Sequence, residues 1–257
     1  MEQIASQGMS VGQLLQAGQQ TTNLGIPLGT YFEDGKRRYV WAHVADATPR
    51  IGVVVRKNAR DAQCVSVAGT QFTAAATNGR YGDGPGDTTI RAYGLSVVSA
   101  SWVTLLQDGY FTVLSGTGIG VYPIDWIEVG GSGYTKFRIR GGLQAGLSTA
   151  SWGKFFTNPY RNCIEFPGVD NCYLSGHIAA GVITQAATTS GYQLLQTRGI
   201  GLLRASNTHT INSGAGLGIV GSIVSTTYAS TITVARSLGK KSISVYCPAD
   251  IFIDKHA

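Results

Sequence analysis

Gly216-Leu217-Gly218-Ile219-Val220-Gly221 has the G-x-G-x-x-G spacing that lets a backbone turn close on a dinucleotide pyrophosphate. That chemistry needs a strand immediately before the first glycine and a helix immediately after the last. Neither is expected here: residues 206–213 (SNTHTINS) are turn-like, and residues 222–228 (SIVSTTY) are β-branched and strand-like. The glycines therefore read as part of a β-rich segment, and Gly116-Thr117-Gly118-Ile119-Gly120 reads as a hairpin connection between two strands. A G-x-x-x-x-G-K-[ST] phosphate loop is missing from the sequence. The four histidines, His43, His177, His209 and His256, form no H-x-x-x-H or H-x-H pair, and His43, beside Trp41, reads as a packed or exposed ring rather than a ligand. Cys64, Cys163, Cys172 and Cys247 form no C-x-x-C pair and read as free thiols of a reducing compartment. A carboxylate pair for glycoside hydrolysis would have to come from Asp83, Asp87, Asp108, Asp125 and Glu128, and no spacing ties any two together. A Ser/His/Asp site assembles in space rather than in sequence, but the material for acid–base work is thin. The sequence thus assigns no catalytic, cofactor-binding or metal-ligating residue, and the expectation is a non-enzyme without a cofactor.

The elements behind these residues follow from composition. Of 257 residues 13% are charged, about half the share of roughly 25% in an average soluble domain, while 35 are glycine and 43% are apolar. Scarce Lys, Glu and Leu beside abundant Gly, Thr, Ser and Val exclude a helical bundle or coiled coil, and Gly without a period of three excludes collagen. No run of 18 apolar residues would span a membrane as a helix, and residues 1–8 (MEQIASQG) lack the basic and apolar regions of a secretory signal. The expected fold is all-β, a short-stranded barrel or sandwich with little helix and an extended N-terminal arm over residues 1–28. The Gln-rich arm holds one marginal helical turn, Val11 to Ala17. A β-rich domain is expected over 29–257, with room for a subdivision within 141–190. Strands are expected in the hairpin Gly29 to Val44, turned by Asp34-Gly35, and at 51–56, 62–67, 101–106, 110–114, 120–124, 134–140, 191–198, 200–205, 219–224, 230–235 and 243–246, with a loop over 78–87. In Tyr134–Arg140 the alternation places Phe137 and Ile139 on one face and Lys136, Arg138 and Arg140 on the other.

The net charge of +6 is dispersed. Lys36-Arg37-Arg38 and Lys240-Lys241 are short runs, Arg50, Arg56, Lys57 and Arg60 form a looser cluster, and Tyr39 and Trp41 face the core by alternation. Solvated turns, or docking to an acidic protein surface, account for this better than nucleic acid, which would want stacking aromatics among the cations. A β protein standing alone normally guards its edges with charge, especially Lys. This chain spends few charges so, which points to a subunit of an assembly whose surface is covered by neighbours.

The stretch Gly29-Thr-Tyr-Phe-Glu-Asp-Gly-Lys-Arg-Arg-Tyr-Val-Trp-Ala42 resembles the opening hairpin of tailed-phage capsid decoration, or cement, proteins, a polar arm followed by G-x-x-x-x-D-G-[KR]-x-[FY]-x-[YW]. Residues 108–124 (DGYFTVLSGTGIGVYPI) are similar to a later stretch of that family, and Asn158-Pro159-Tyr160, Ala180-Gly181-Val182 and residues 191–201 (GYQLLQTRGIG) to its C-terminal half. The resemblance runs in order over roughly residues 29–204. It implies a non-enzymatic virion protein, made in the host cytoplasm, that binds the outer surface of a phage capsid and bridges neighbouring major capsid proteins. It further implies self-association as a homotrimer, with no membrane and no direct nucleic-acid contact. The arm lies outside the resemblance, and its apolar residues Leu14, Leu15, Ile26 and Leu28 are the expected partner contacts. The alternative is a tail or fibre component that binds host-surface carbohydrate by stacking sugar rings on Tyr81, Trp126 and Trp152.

Overall fold

The structure is a computed structural model that describes residues 9–57, 65–68, 84–93, 103, 105–129, 134–166, 178–205, 210–220, 223–226, 233–239 and 245–253. The chain forms two units, one of residues 1–59 with 159–257 and one of residues 60–158. The first unit opens with helix α1 (Val11–Ala17) and strands β1 (Tyr31–Asp34), β2 (Arg37–Val44) and β3 (Val54–Arg56). The second holds β4 (Val65–Ala68), β5 (Thr89–Tyr93), β6 (Tyr110–Ser115), β7 (Gly120–Val129), β8 (Tyr134–Ile139) and β9 (Trp152–Phe156). The chain then returns to the first unit with β10 (Ile164–Glu165), β11 (Ala179–Ile183), β12 (Gly191–Arg204), β13 (Gly216–Val220), β14 (Ile223–Thr226), β15 (Thr233–Ser237) and β16 (Tyr246–Phe252). The protein is all-β with little helix, and one of its sheets is curled into a half-barrel.

In the first unit ten strands form one sheet, in the order β10-β3-β11-β12-β16-β15-β13-β14, with the β1–β2 hairpin joined to β12 through β2. Asp34 and Arg37 face each other across the hairpin turn, and Gly35 takes the positive φ, +61°, at the first of the two central positions. The fourteen-residue β12 spans two cores. Its first half contributes Leu194 and Leu195 to a cluster with Trp41, Val53, Val55 and Ile183, and its second half contributes Leu203 to one with Leu217, Val234, Ala249 and Ile251.

Over its described residues, 9–28, the arm packs onto the first core rather than standing extended. Ser10 caps α1 in a capping box with Gln13, and the helix buries Val11 and Leu14 in the first core. Gln20 and Tyr192 exchange backbone hydrogen bonds of 2.8 and 2.7 Å, Asn23 Oδ1 accepts from Trp41 Nε1, and Ile26 and Leu28 are buried. Burial of both faces of β2, Tyr39 through Ala42, replaces the simple alternation read from sequence, and the arm's side chains belong to that same core.

The second unit is a sheet in the order β4-β9-β6-β7-β8-β5. Its core is an aromatic triad of Phe111, Phe137 and Phe155, with ring centroids 4.9–5.2 Å apart, and the alternation of β8 falls as expected, Phe137 and Ile139 inward. The strand expected at 101–106 is instead helical at its described residues, Val103, Leu105 and Leu106: Gln107 N–H donates to the Val103 carbonyl, and Asp108, at φ +60°, ends the turn. The strand expected at 219–224 is two strands, because Val220 pairs with Ile223 across a β13–β14 hairpin. That hairpin also settles the G-x-G-x-x-G stretch, whose described glycines, Gly216 and Gly218, sit in antiparallel strand β13 with a strand following.

Candidate functional site

β12 changes partner along one edge. It pairs with β2 from Gly191 to Arg198, and with β16 from Arg198 to Arg204, so that Arg198 stands opposite Arg38 in one ladder and Phe252 in the other. A bulge between Gln196 and Arg198 marks the handover. The buried Gln196 side chain fixes it, its Nε2 donating to the carbonyl oxygens of Arg198, Gly199 and Ile200 at 3.1–3.2 Å. Between the tip of the β1–β2 hairpin and the end of β16 an open cleft of about 540 Å³ results, lined among others by Lys36, Arg37, Arg38 and Arg198 on its basic side and by Glu33 and Asp250. Glu33 is engaged by Arg38 at 2.8 Å, and Asp250 lies opposite Arg236 in the β15–β16 register. Among the described residues no carboxylate comes within 4.0 Å of Lys36, Arg37 or Arg198. A second cleft of about 440 Å³, between Leu15 of α1 and Thr184, Gln196 and Leu202, shares Arg37 and Ile200 with the first.

Beside the clefts lies an outward apolar strip. In Gly199-Ile200-Gly201-Leu202 the glycines occupy the inner positions, because the Gln196 amide and Ile251 leave no room for a Cβ at Gly201, while Ile200 is 57% and Leu202 43% exposed. Pro248 and Tyr246 face outward across from Leu202 and Arg204, with Leu238 next to Pro248. The second unit carries an apolar face of its own, with Ile119 and Val121 60% and 64% exposed and Leu114 and Trp152 less so.

The residues singled out from sequence fall as follows. Leu14, Ile26 and Leu28 are core residues and Leu15 packs half-buried against the same core, so the arm's expected partner contacts are a correction: its own sheet takes them. The expected basic cluster is dispersed, since Arg50 is bonded to Glu165 at 2.6 Å, Arg56 is buried, Lys57 Nζ lies 4.9 Å over the Tyr160 ring, and Arg60 lies outside the described residues. Lys240 and Lys241 also lie outside them. Burial, and then the Arg161 charge, hold the His43 imidazole below its ordinary range, and its ring packs edge-on to Tyr192 at 4.8 Å. Cys163 and Cys247 are free and buried, with burial pushing the Cys163 thiol up to about 12; Cys64, Cys172, His177, His209 and His256 lie outside the described residues. Asp108 and Asp125 pair with Arg140, Asp125 also with Arg138, and Glu128 with Lys136, while Asp87 accepts from the Gly84 N–H. Asp83 and Tyr81 lie outside the described residues. Lys136 and Arg138 stand 5.1 and 5.9 Å from the Trp126 ring centroid, and Lys154 stands 5.1 Å from that of Trp152. Among the described residues no three His, Cys, Asp or Glu side chains gather as a metal cluster. Sequence reasoning noted the Lys36-Arg37-Arg38 run but missed Arg198, Ile200, Leu202, Leu238 and Asp250. The available signal was the inverted pattern at 199–202, glycine at alternate positions with apolar residues between.

Among the described residues, these features are those of an all-β protein with a basic cleft and an outward apolar face on each unit. No family model, curated protein or solved structure matches the chain.

Proposed function

We propose that this chain is a non-enzymatic virion protein that binds the outer surface of a phage capsid and bridges neighbouring major capsid proteins. The observation that carries the reading is the presence of a separate outward apolar face on each unit, Ile200, Leu202 and Tyr246 on one and Leu114, Val121 and Trp152 on the other. A bridging protein needs at least two contact surfaces, and two modest surfaces held on one chain give retention by avidity rather than by one tight site. Apolar faces left uncovered on a sparsely charged chain also fit a protein that works against neighbours, including copies of itself in a homotrimer. For the carbohydrate alternative, sugar stacking on Trp126 or Trp152 would have to displace the cations that stand over those rings.

The test mixes purified protein with undecorated capsid shells and follows loading by sedimentation and mass photometry. The expected result is a trimer that loads stoichiometrically and raises the shell melting temperature. Leu202→Asp or Val121→Asp alone is expected to weaken retention at least tenfold, and the two together to abolish it. A protein that ignores shells, or loading untouched by either substitution, overturns the reading.

A further inference from the structure

We propose that the cleft between the β1–β2 hairpin tip and the end of β16 is the docking site for an acidic, aliphatic-anchored peptide segment of a partner protein. The inference rests on the binding role proposed above and names the chemistry of the segment bound.

Three observations converge. First, Lys36, Arg37 and Arg198 are exposed cations on one cleft, with no described carboxylate at ion-pair distance. A cleft of one dominant sign focuses its field and draws in the opposite charge, and guanidinium groups bind carboxylates in two-point geometry. Second, the apolar floor is aliphatic and outward: Ile200 is 57% exposed and Leu238 47%, and both line the cleft beside the cations. Aliphatic side chains flanked by carboxylates would cover this floor and neutralise its rim in a single segment. Third, the cleft is built on strand backbone rather than on a loose loop. Arg198 and Ile200 leave the bulge that Gln196 clamps through three carbonyl groups, and Lys36 closes against Gly199, where a Cβ would meet the Lys36 carbonyl oxygen at 2.5 Å. A preformed site loses less ordering free energy when it binds.

The same features disfavour nucleic acid. Glu33 and Asp250 share the cleft and repel a uniformly charged phosphate backbone, whereas a peptide can set its carboxylates against the cations and its aliphatic groups elsewhere. Phe252, the one aromatic ring of the lining, is half-buried, so bases find little to stack on.

The experiment pans a random-decamer peptide display library on the full chain, without capsids. The strongest decamer is then synthesised with a fluorescent label, and its binding is measured by fluorescence anisotropy at low and moderate salt. The expected decamers carry two or more Asp or Glu around a Leu, Ile or Val. Replacing their carboxylates by amides, or making Arg37→Glu with Arg198→Glu in the protein, is expected to weaken binding at least tenfold, and Ile200→Asp to do likewise with an unchanged melting temperature. No enrichment, enrichment without acidic residues, binding indifferent to these substitutions, or displacement of the decamer by an oligothymidylate at lower concentration than by unlabelled decamer each overturns the proposal. Shell loading separates this inference from the reading it rests on. Acidic decamers that bind while shells are ignored remove the capsid and keep the site. Shells that load equally well on Arg37→Glu/Arg198→Glu, with no acidic decamer found, remove the site and keep the capsid.

Discussion

Gly199 shows how a single position shapes the cleft. It holds φ +88° beside the hairpin turn, and a Cβ there would stand 2.5 Å from the Lys36 carbonyl oxygen. Gly35, in the turn itself, also has positive φ, +61°, but a Cβ there meets nothing within 4 Å. A left-handed conformation costs a residue with a Cβ about 1–2 kcal/mol. Gly35→Ala is therefore expected to lose roughly that amount, while Gly199→Ala adds the clash and is expected to lose about 3 kcal/mol. Equilibrium urea unfolding of the two variants checks the difference, and equal losses would mean that the close approach of turn and bulge contributes nothing. The glycine-rich composition was legible in the sequence. Which glycine is needed for its φ and which for lack of space was not, because the second requirement is set by a chain segment more than 150 residues away.

Helix α1 spans seven residues and would be marginal in isolation. It forms because Val11 and Leu14 are buried against the first core, with the capping box at its start and the Gln20–Tyr192 backbone pair anchoring the chain after it. Gln185 also donates its side-chain amide to the Leu15 carbonyl. The helix was legible from its residues, and so was its need to order on something else. Its destination was not, since four apolar side chains in a polar stretch read the same whether a partner or the chain's own sheet buries them. The consequence is measurable. Leu14→Ala is expected to destabilise the first unit by about 2–5 kcal/mol, as buried Leu→Ala changes do, and Leu15→Ala by about 1 kcal/mol because it is only half-buried. Removal of residues 2–28 is expected to expose the Trp41 core and lower the melting temperature. A truncated chain that melts like the whole protein would return the arm to the role of a free strap.

On the scale of the whole molecule, residues 60–158 form one continuous segment set between two parts of the other unit. That segment has its own sheet and its own core, Phe111, Phe137 and Phe155 with Ile90, Leu106, Tyr122 and Ile139 around them. A unit with its own core whose chain enters and leaves at adjacent sequence positions of its host has the organisation of an inserted domain. Residues 60–158 expressed alone are expected to fold, with a cooperative thermal transition and near-ultraviolet circular dichroism from the packed aromatic rings. A fragment without either signal would mean that the segment depends on the rest of the chain. The boundary at 158/159 lies within the 141–190 interval where the sequence allowed a subdivision, but the matching boundary at 59/60 carried no signal, because Arg56 to Asp61 has neither linker composition nor a break in pattern.

The sequence by itself determined the β class, the Asp34-Gly35 hairpin, the inward faces of Phe137 and Ile139, the position of the short helix at Val11 to Ala17, though not its stability, and the strand character of the glycines at 216–218. Each of these depends on neighbours within a few residues, through alternation, turn chemistry or a cap. Only the tertiary structure decided that Ile200 and Leu202 face outward, that Leu14, Ile26 and Leu28 face inward, and that Arg198 joins Lys36 and Arg37 around one cleft. The reason is strand pairing at long range. β12 meets β2 on one stretch and β16 on the next, and the gap between those partners is a property of register between segments far apart in the chain.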